Sequence, residues 1–335
     1  MNFREVSIIG SGPVGLFSIF QAGMLGMRCF IVDVLDFIGG QCTALYKEKP
    51  IYDIPAYQKI IAGELIKQLA KQAEPFNPEY CLGQQVLSYY KEDEYFVIET
   101  NRNTKLYSKV ILIAAGNGIF SHNKPPIKNL SLYEGKSVFY SIDDKSYFKN
   151  KEVVIAGGGD TAADWALCLV PIVKKLYILH RRNQFRCKDH SLVQIKKLVN
   201  QGKIEIITPY QLDSINGSNG VIDSITVKNL KNETKTISAD LLLLCFGLKM
   251  NLGSIGSWRL DFDYQKRIIV DPCYYQTNIP GIYAIGDIAA YEGKLKLILT
   301  GFAESASAIH HAYKYVFPGR ALHFQHSTDK KIPNI

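Results

Sequence analysis

The pattern of apolar and polar positions predicts a chain in which strands and helices alternate. Compact apolar runs, typical of buried parallel strands, occur at 5–9, 28–32, 109–114, 152–156 and 175–180. Stretches of helical period follow them at 13–26, 59–73, 160–171, 189–200 and 302–316. This alternation predicts an α/β fold with parallel sheets, whose ligands bind beyond the carboxyl ends of the strands.

Two glycine-bearing segments, at 114–118 and 245–247, flank the second half of this alternation. If they are crossings between domains, residues 119–247 form a domain inserted into a first domain built from 1–118 and 248–335. Rotation at these two crossings is then expected, because hinges are short segments at the ends of elements. The chain is therefore predicted to have two domains, the first of them discontinuous.

Composition and charge narrow the class of protein. The chain has 335 residues, 47% of them hydrophobic and 21% charged, which is typical of a globular protein. No apolar stretch reaches the roughly 18 residues of a membrane span, and residues 1–5 lead directly into a strand, so a cytoplasmic location is predicted. The net charge of +8 favours acidic partners, whereas the dispersed basic residues argue against nucleic acid.

The first apolar strand ends in a dinucleotide-binding fingerprint, GSGPVG. Gly10 permits the tight turn, Gly12 allows a pyrophosphate to approach the backbone, and Gly15 allows helix and strand to pack closely. Pro13 suits the first turn of the helix that follows. Asp33 stands about 20 residues further on, at the end of the next strand, where a carboxylate accepts from ribose hydroxyls and repels a 2′-phosphate. The site is predicted to hold the adenosine half of FAD or NAD.

A second fingerprint, GGGDTA, differs at the ribose position. Its turn and helix start contain Gly157, Gly159, Asp160, Thr161 and Ala162. The strand that follows ends not in an acid but in a basic group consisting of His180, Arg181, Arg182 and, shortly after, Arg186. Arginine binds a 2′-phosphate through two parallel hydrogen bonds and stacks on adenine, so this site is predicted to prefer NADPH.

Three further positions suggest a flavin. Gln41 follows a Gly-Gly turn after Asp33, Tyr46 is an aromatic residue able to stack on a flat ring, and Asp287 follows a short strand. Each of these residue types is common in purely structural roles. Their occurrence together with the first fingerprint is what favours a cofactor site.

The chain resembles the two-dinucleotide-binding flavoproteins of the thioredoxin-reductase fold, and more closely the ferredoxin (flavodoxin)–NADP reductases of that type. The segments that carry the resemblance are GSGPVGLFS, GGQCTALYKEKPIYDIPAY, AAGNGIF, GGGDTAADWAL, HRRNQFR, AIGDIAAYEGKLKLI and FQHST. The resemblance implies two Rossmann-like domains, FAD in 1–118 and 248–335, and NADPH in 119–247. It also implies a homodimeric enzyme with hydride transfer between NADPH and FAD, and one-electron transfer to or from ferredoxin or flavodoxin.

The resemblance also implies residue roles. Asp33 would bind the adenosine ribose, Gln41 and Tyr46 the flavin, and Asp287 the ribityl or pyrophosphate portion. Val86 would meet the adenine through its backbone, and Phe120 would lie beside the cofactor. His326 and Thr328 would cover the opposite flavin face from the partner subunit. No side chain is assigned as a catalytic acid or base, because the chemistry belongs to the cofactors.

The positions of the seven cysteines indicate what kind of electron acceptor the chain uses. None forms a C-x-x-C pair, and the region 120–165 contains none, so neither a redox-active dithiol nor a metal site is predicted. A flavin without a dithiol favours a carrier protein as the electron acceptor. Two alternatives remain open: a flavin reductase of a small disulfide or other small acceptor, involving Cys42, and a non-catalytic nucleotide-binding redox sensor.

Overall fold

The computed structural model describes residues 2–142 and 144–322, which divide into two compact units. Unit 1 comprises Met1–Phe120 and Met250–Ile335, and unit 2 comprises Ser121–Lys249. The two predicted crossings, at 118/119 and 247/248, each lie two residues before the boundaries of these units. The predicted α/β class is confirmed, since each unit is built around a five-stranded parallel sheet.

The first segment of unit 1 supplies most of its sheet. Its elements are β1 (Val6–Ile9), α1 (Pro13–Met24), β2 (Cys29–Val32), α2 (Gln41–Ala44), β3 (Pro50–Ile51), β4 (Ile60–Ile61), α3 (Ala62–Ala73), β5 (Glu79–Cys81), β6 (Val86–Glu92), β7 (Tyr95–Thr100), β8 (Lys105–Ser108), β9 (Val110–Ile113) and β10 (Ile119–His122). The helix predicted from residue 59 begins at Ala62, because Ile60 and Ile61 pair with Ile51 and Pro50 as a short hairpin. Residues 82–113 form four strands, of which the last was predicted from the sequence, at 109–114.

Unit 2 repeats the alternation of strand and helix. Its elements are α4 (Leu130–Tyr133), β11 (Val138–Phe139), β12 (Glu152–Ala156), α5 (Asp160–Leu169), β13 (Lys175–Leu179), α6 (Asp189–Asn200), β14 (Ile204–Ile207), β15 (Gln211–Ser218), β16 (Val221–Lys228), β17 (Thr234–Ser238), β18 (Leu241–Leu244) and β19 (Leu248–Asn251). The chain then returns to unit 1 with β20 (Ile268–Ile269), β21 (Ile282–Ala284), β22 (Ala289–Ala290) and α7 (Ile298–Val316). Helix α7 begins one turn earlier than the predicted residue 302, at Ile298.

In unit 1 the strand order is β21-β9-β1-β2-β5, and all of these strands are parallel. Successive residues of the central strand point to opposite faces. Ile8 therefore joins the core under α1, α3 and α7, whereas Ile9 joins the core on the side of β6–β8. Both faces are apolar because both are covered, as the continuous apolar run of β1 predicts.

In unit 2 the order is β11-β18-β12-β13-β14, again parallel, with the antiparallel sheet β15-β16-β17 beside it. Val153 and Ile155 face the core that contains α5, and Val154 and Ala156 face the core with β15–β17. Strand β10 pairs with β19, so the two segments that cross between units form a two-stranded sheet. No helix among the described residues is long and apolar enough to cross a membrane.

Candidate functional site

A cleft in unit 1 lies at the carboxyl ends of β1, β2 and β9, where the parallel sheet predicts a ligand. Its lining includes eight of the residues predicted to contact FAD: Gly10, Gly12, Pro13, Asp33, Gln41, Tyr46, Val86 and Asp287. The structure therefore brings together residues that lie up to 277 positions apart in the sequence.

The first glycine turn needs the glycines that the motif supplies. Gly10 has a φ of +108°, and a Cβ there would collide with the carbonyl oxygen of Ala114 on the neighbouring strand. A Cβ at Gly12 would meet nothing within 4 Å, because this residue faces the open cleft. Helix α1 starts at Pro13 without a hydrogen bond from a capping side chain. Its free N–H groups and its dipole make this end of the cleft suited to an anion.

Asp33 is held in place by the glycine turn. Ser11 donates to its Oδ2 from the backbone N–H at 2.6 Å and from the hydroxyl at 2.7 Å. The backbone N–H of Leu35 donates to Oδ1 at 2.9 Å. The carboxylate lies at the cleft wall in a fixed orientation, and each of its oxygens has further capacity to accept hydrogen bonds. Ser11, which sequence reasoning passed over as the variable residue of the motif, is the group that orients it.

Gln41, Cys42, Tyr46 and Asp287 line another part of the cleft. Gln41 is the first residue of the short helix α2, which begins after Gly40. The thiol of Cys42 contacts the hydroxyl of Tyr46 at 3.6 Å, and the side chain is only 2% exposed. Burial raises the pKa of the Cys42 thiol to about 11, and burial likewise raises the pKa of Tyr46 above its ordinary value. Both groups are therefore neutral at physiological pH.

Asp287 stands in a 3-10 turn, Gly286–Ile288, whose position depends on a buried glutamate. The N–H of Gly286 donates to Oε2 of Glu304 at 2.6 Å, and the hydroxyl of Tyr291 donates to Oε1 at 2.6 Å. Lys294 completes the group by an ion pair with Glu304. Sequence reasoning missed both of these charged residues.

The entrance to helix α7 also lines the cleft. Lys296, Leu297 and Ile298 are part of the lining, and α7 begins at Ile298 without a capping side chain. The first turn of a 19-residue helix therefore faces the cleft with its partial positive charge. The sequence pattern indicated this helix but placed its start too late to reveal this contact.

Val86 and four further residues were predicted to contact FAD or to shape its turn, and the structure describes some of them. The carbonyl oxygen of Val86 accepts a hydrogen bond from the hydroxyl of Ser254, and Val86 lies at the cleft wall. Phe120 lies in β10, and only its backbone is described. His326 and Thr328 lie outside the described residues. Gly15 is buried behind the turn, where a Cβ would collide with the carbonyl oxygen of Gly10.

The second glycine turn, in unit 2, begins helix α5 in the same way. Gly159 precedes the helix, no side chain caps it, and the first turn contains Asp160, Thr161 and the buried Ala162. A Cβ at Gly157 would lie 2.7 Å from the carbonyl oxygen of Cys245, the residue that follows β18. Oδ1 of Asp160 accepts from the backbone N–H of Lys188 at 2.8 Å, which ties the loop after β13 to the helix start.

His180 lies directly against this turn. A Cβ on Gly158 would come within 2.5 Å of both ring nitrogens of His180, so only glycine leaves room for the imidazole. Nε2 of His180 is buried and has no hydrogen-bond partner among the described residues. Burial lowers the pKa of His180, with smaller contributions from the charges of Arg181, Arg182 and Arg186. The ring is therefore neutral at pH 7.

The three arginines predicted to bind a 2′-phosphate are exposed in unit 2. Arg181 and Arg182 directly follow His180, and the backbone N–H of Arg186 donates to the carbonyl oxygen of Gly158 at 2.7 Å. The basic loop and the glycine turn are therefore one local structure. Within the described part of the chain, no group of three or more His, Cys, Asp or Glu side chains could hold a metal ion.

The two sites fit different nucleotides. The unit 1 cleft combines a carboxylate for ribose hydroxyls, a helix start for a pyrophosphate and apolar walls that include Leu252 and Ile255, which suits FAD. The unit 2 turn combines an uncapped helix start with exposed arginines and a buried, unpartnered imidazole nitrogen, which suits a nucleotide with a 2′-phosphate.

Comparison with known proteins agrees with this geometry. Residues 4–313 match the model of the family described as pyridine nucleotide-disulphide oxidoreductase. The chain is 57% identical to the ferredoxin–NADP reductase of Rickettsia rickettsii (strain Iowa) over 98% of this chain and 97% of that protein. The ferredoxin–NADP reductase of Rickettsia prowazekii (strain Madrid E) is 55% identical, with 98% of both chains covered.

Among solved structures, the chain is similar to thioredoxin reductase from Lactococcus lactis in its FR conformation. The two share 28% identity and a TM-score of 0.75, over 93% of this chain and 99% of that one. The thioredoxin-reductase-like arrangement of two Rossmann-like domains, predicted from the sequence, is confirmed.

Proposed function

This chain belongs to the pyridine nucleotide-disulphide oxidoreductase family, where it groups with the ferredoxin–NADP reductases, and we propose that it is an FAD-dependent ferredoxin–NADP reductase. The observation that carries the proposal is the opposite charge of the two segments that follow the strands beside the glycine turns, acidic at Asp33 and basic from Arg181 onward. Asp33 follows the strand beside the first turn, and His180 with Arg181 follows the strand beside the second. One protein thus offers one site for FAD and another for NADPH.

The cleft residues divide the binding of FAD among them. Asp33 binds the ribose of the adenosine half, and the start of α1 after Gly12 binds the pyrophosphate. Gln41, Tyr46 and Asp287 orient the flavin half, and the start of α7 stabilises negative charge there. When bound, FAD links the two-electron chemistry of NADPH to the one-electron chemistry of an iron–sulfur carrier.

The unit 2 residues select the nucleotide. Arg181 and Arg182 are free to close on a 2′-phosphate from the surface, and Arg186 is held beside them by its backbone contact with Gly158. The neutral His180 fixes the floor of the turn without adding a further positive charge. NADPH is therefore preferred to NADH because these arginines bind the 2′-phosphate, which NADH lacks.

The state of Cys42 favours a carrier protein over a disulfide as the acceptor. A disulfide is attacked by a thiolate, and a thiol with a pKa of about 11 and 2% exposure supplies almost none at pH 7. Cys42→Ser is expected to leave ferredoxin-linked activity within about twofold of the wild type. Loss of that activity in Cys42→Ser would instead favour the reductase of a small disulfide.

The partner is an acidic carrier that docks near the cleft mouth. Three exposed lysines lie on the same segments of the chain as the cleft residues Tyr46 and Ile298: Lys47, Lys59 and Lys296. The chain as a whole has a net charge of +8. Electrostatic attraction raises the rate of association and is screened by salt. The same experiment with flavodoxin in place of ferredoxin tests whether flavodoxin is also an electron acceptor. A homodimer, in which His326 and Thr328 of a second subunit complete the site, is part of the proposal.

The test is a ferredoxin-dependent assay with the purified full chain. Cytochrome c reduction by NADPH is expected only when ferredoxin is present, and it should fall steeply as salt increases. Lys296→Glu should raise the KM for ferredoxin, whereas Lys231→Glu, an exposed position in unit 2, should not. A protein that purifies without flavin and takes up no FAD would favour the nucleotide-sensing alternative.

A further inference from the structure

Two opposite charges are buried together behind the cleft in unit 1. The side chain of Lys294 is 2% exposed and that of Glu304 is fully buried. Taking two charged groups out of water is costly, and a buried ion pair often stabilises a fold no better than apolar side chains of the same volume. Such a pair therefore calls for a role other than general stability.

Helix α7 also has contacts with α1 that do not involve this pair. Gly301 packs closely on Val14 of α1, and the hydroxyls of Ser18 and Ser305 bond to each other at 2.8 Å in the buried interface. Ala308, Ile309 and Ala312 add apolar contacts in the same core. None of these contacts between α7 and the rest of unit 1 involves Glu304.

What the pair does determine is the turn that contains Asp287. Oε2 of Glu304 accepts the N–H of Gly286, the residue directly before Asp287, and Gly286 adopts a φ of +73°. Oε1 accepts from Tyr291 and Lys294, which fixes the carboxylate itself. Asp287 lies at the cleft wall, and its charge is near enough to Cys42 to contribute to that thiol's raised pKa.

The same pair fixes the entrance to helix α7. Lys294 precedes the cleft-lining residues Lys296, Leu297 and Ile298 by only two to four positions. The ring of Tyr291 packs on Tyr275 at 5.5 Å, which anchors the segment between the turn and the helix. One buried ion pair thus sets the position of two parts of the cleft wall.

We propose that Lys294 and Glu304 are positioning residues that hold the Asp287 turn and the start of α7 in the arrangement that binds FAD, an inference that rests on the proposed function. Glu304 acts through the N–H of Gly286, and Lys294 holds the Glu304 carboxylate in its orientation. Neither residue is among those that line the cleft.

The test measures FAD binding to the apoprotein, not turnover. Lys294→Met keeps the aliphatic stem but leaves Glu304 without its counter-charge. Its dissociation constant for FAD is expected to rise roughly 10-fold to 100-fold, the range seen when groups that orient ligand-binding side chains are removed at metal sites. Lys294→Arg, which retains the charge, should recover part of the affinity. Ser305→Ala is the matched control on the same buried face of α7 and should bind FAD as the wild type does.

Tyr291→Phe is a milder variant that keeps both buried charges paired, so it serves if Lys294→Met does not fold. Only one hydrogen bond of the Glu304 carboxylate is lost and its ion pair remains, so FAD binding is expected to weaken less than in Lys294→Met, by roughly threefold to tenfold. Unchanged FAD binding in the folded variants, with only a lower melting temperature, would reduce the pair to a structural role and overturn the inference. A wild-type chain that binds no FAD would instead contradict the proposed function.

Discussion

The two glycine turns share one backbone arrangement and differ in charge. Gly10 donates its N–H to Val32 at 2.8 Å, and Gly157 donates to Leu179 at 2.9 Å. The residue that follows Val32 is Asp33, and the residue that follows Leu179 is His180. The second residue of each turn accepts from a following loop through its carbonyl: Ser11 from Gly39, and Gly158 from Arg186.

The side chains on this shared backbone suit the two sites to different nucleotides. In unit 1 Ser11 donates to the carboxylate of Asp33 and holds it at the cleft wall. In unit 2 Gly158 has no side chain, which makes room for the ring of His180, and arginines follow. In the proposed assignment the turn binds a pyrophosphate in both units, whereas the residues after the second strand determine which ribose each site accepts.

Removing the arginines of unit 2 should have the largest effect. Hydrogen bonds to charged groups contribute about 1.5–3 kcal/mol each, and solvent reduces this at an exposed site. The variant Arg181→Ala/Arg182→Ala is therefore expected to raise the KM for NADPH roughly 10-fold to 100-fold while leaving the KM for NADH nearly unchanged. Steady-state kinetics with both nucleotides checks this. The control Lys196→Ala/Lys197→Ala removes the same charge from α6, and an equal loss there would reduce the effect to general electrostatics.

Neutralising the carboxylate of unit 1 should have the next largest effect. Asp33→Asn keeps the size of the side chain but loses the charge-assisted hydrogen bonds to ribose, so FAD binding to the apoprotein is expected to weaken by about tenfold. Titration of FAD fluorescence gives the dissociation constant. Asp36→Asn, an exposed neighbour outside the cleft lining, is the control. Equal affinity in Asp33→Asn and Asp36→Asn would remove Asp33 from the site.

Filling the space that Gly158 leaves should test the contact with His180. Gly158→Ala would force the ring away, and overpacking of this kind costs about 1–3 kcal/mol of the free energy of unfolding. Gly159→Ala adds a Cβ that meets nothing within 4 Å, so it should destabilise the fold less, through the replacement of the N-cap glycine of α5 alone. Urea unfolding of unit 2 can be followed by Trp165 in a Trp258→Phe background, since these are the two tryptophans of the chain. Equal stability of the two alanine variants would contradict the packing described.

The smallest expected effect is a dependence of unit 2 on pH. Burial lowers the pKa of His180 from the ordinary value of 6.5, so unfolding takes up a proton when the pH falls below that value. Stability must then decrease with falling pH. His180→Gln should reduce this loss, though not abolish it, because the pKa of His122 is also lowered by burial. The urea midpoint of the Trp165 signal across mildly acid pH measures it, with His180 retained in the same Trp258→Phe background as the reference.

The sequence predicted those parts of the site that depend on local patterns. The glycine turns and the charges of Asp33 and Arg181 stand at fixed distances from apolar strands, so their place in the fold follows from the strand–helix alternation. The start of α3 was misplaced because Ile60 and Ile61 continue the helical pattern but pair with β3. No local pattern reveals that tertiary pairing.

The parts that sequence reasoning missed depend on contacts between distant segments. Glu304 belongs to the apolar face of α7, and its contact with Gly286 exists only once helix and sheet have packed. Ser11 occupies a position where the fingerprint accepts any residue, and its role depends on the side chain 22 positions later. A buried charge within an apolar helix face was the one available signal for Glu304.

The most direct test of the central claim is reduction of the bound flavin by NADPH and by NADH in separate stopped-flow titrations of the wild-type protein. Loss of the visible flavin absorbance should occur at much lower concentration, or much faster, with NADPH, because only NADPH carries the 2′-phosphate that we propose the unit 2 arginines recognise. Equal reduction by the two nucleotides would contradict the assignment of opposite preferences to the two turns. The absence of any flavin signal would contradict the assignment of the unit 1 cleft to FAD.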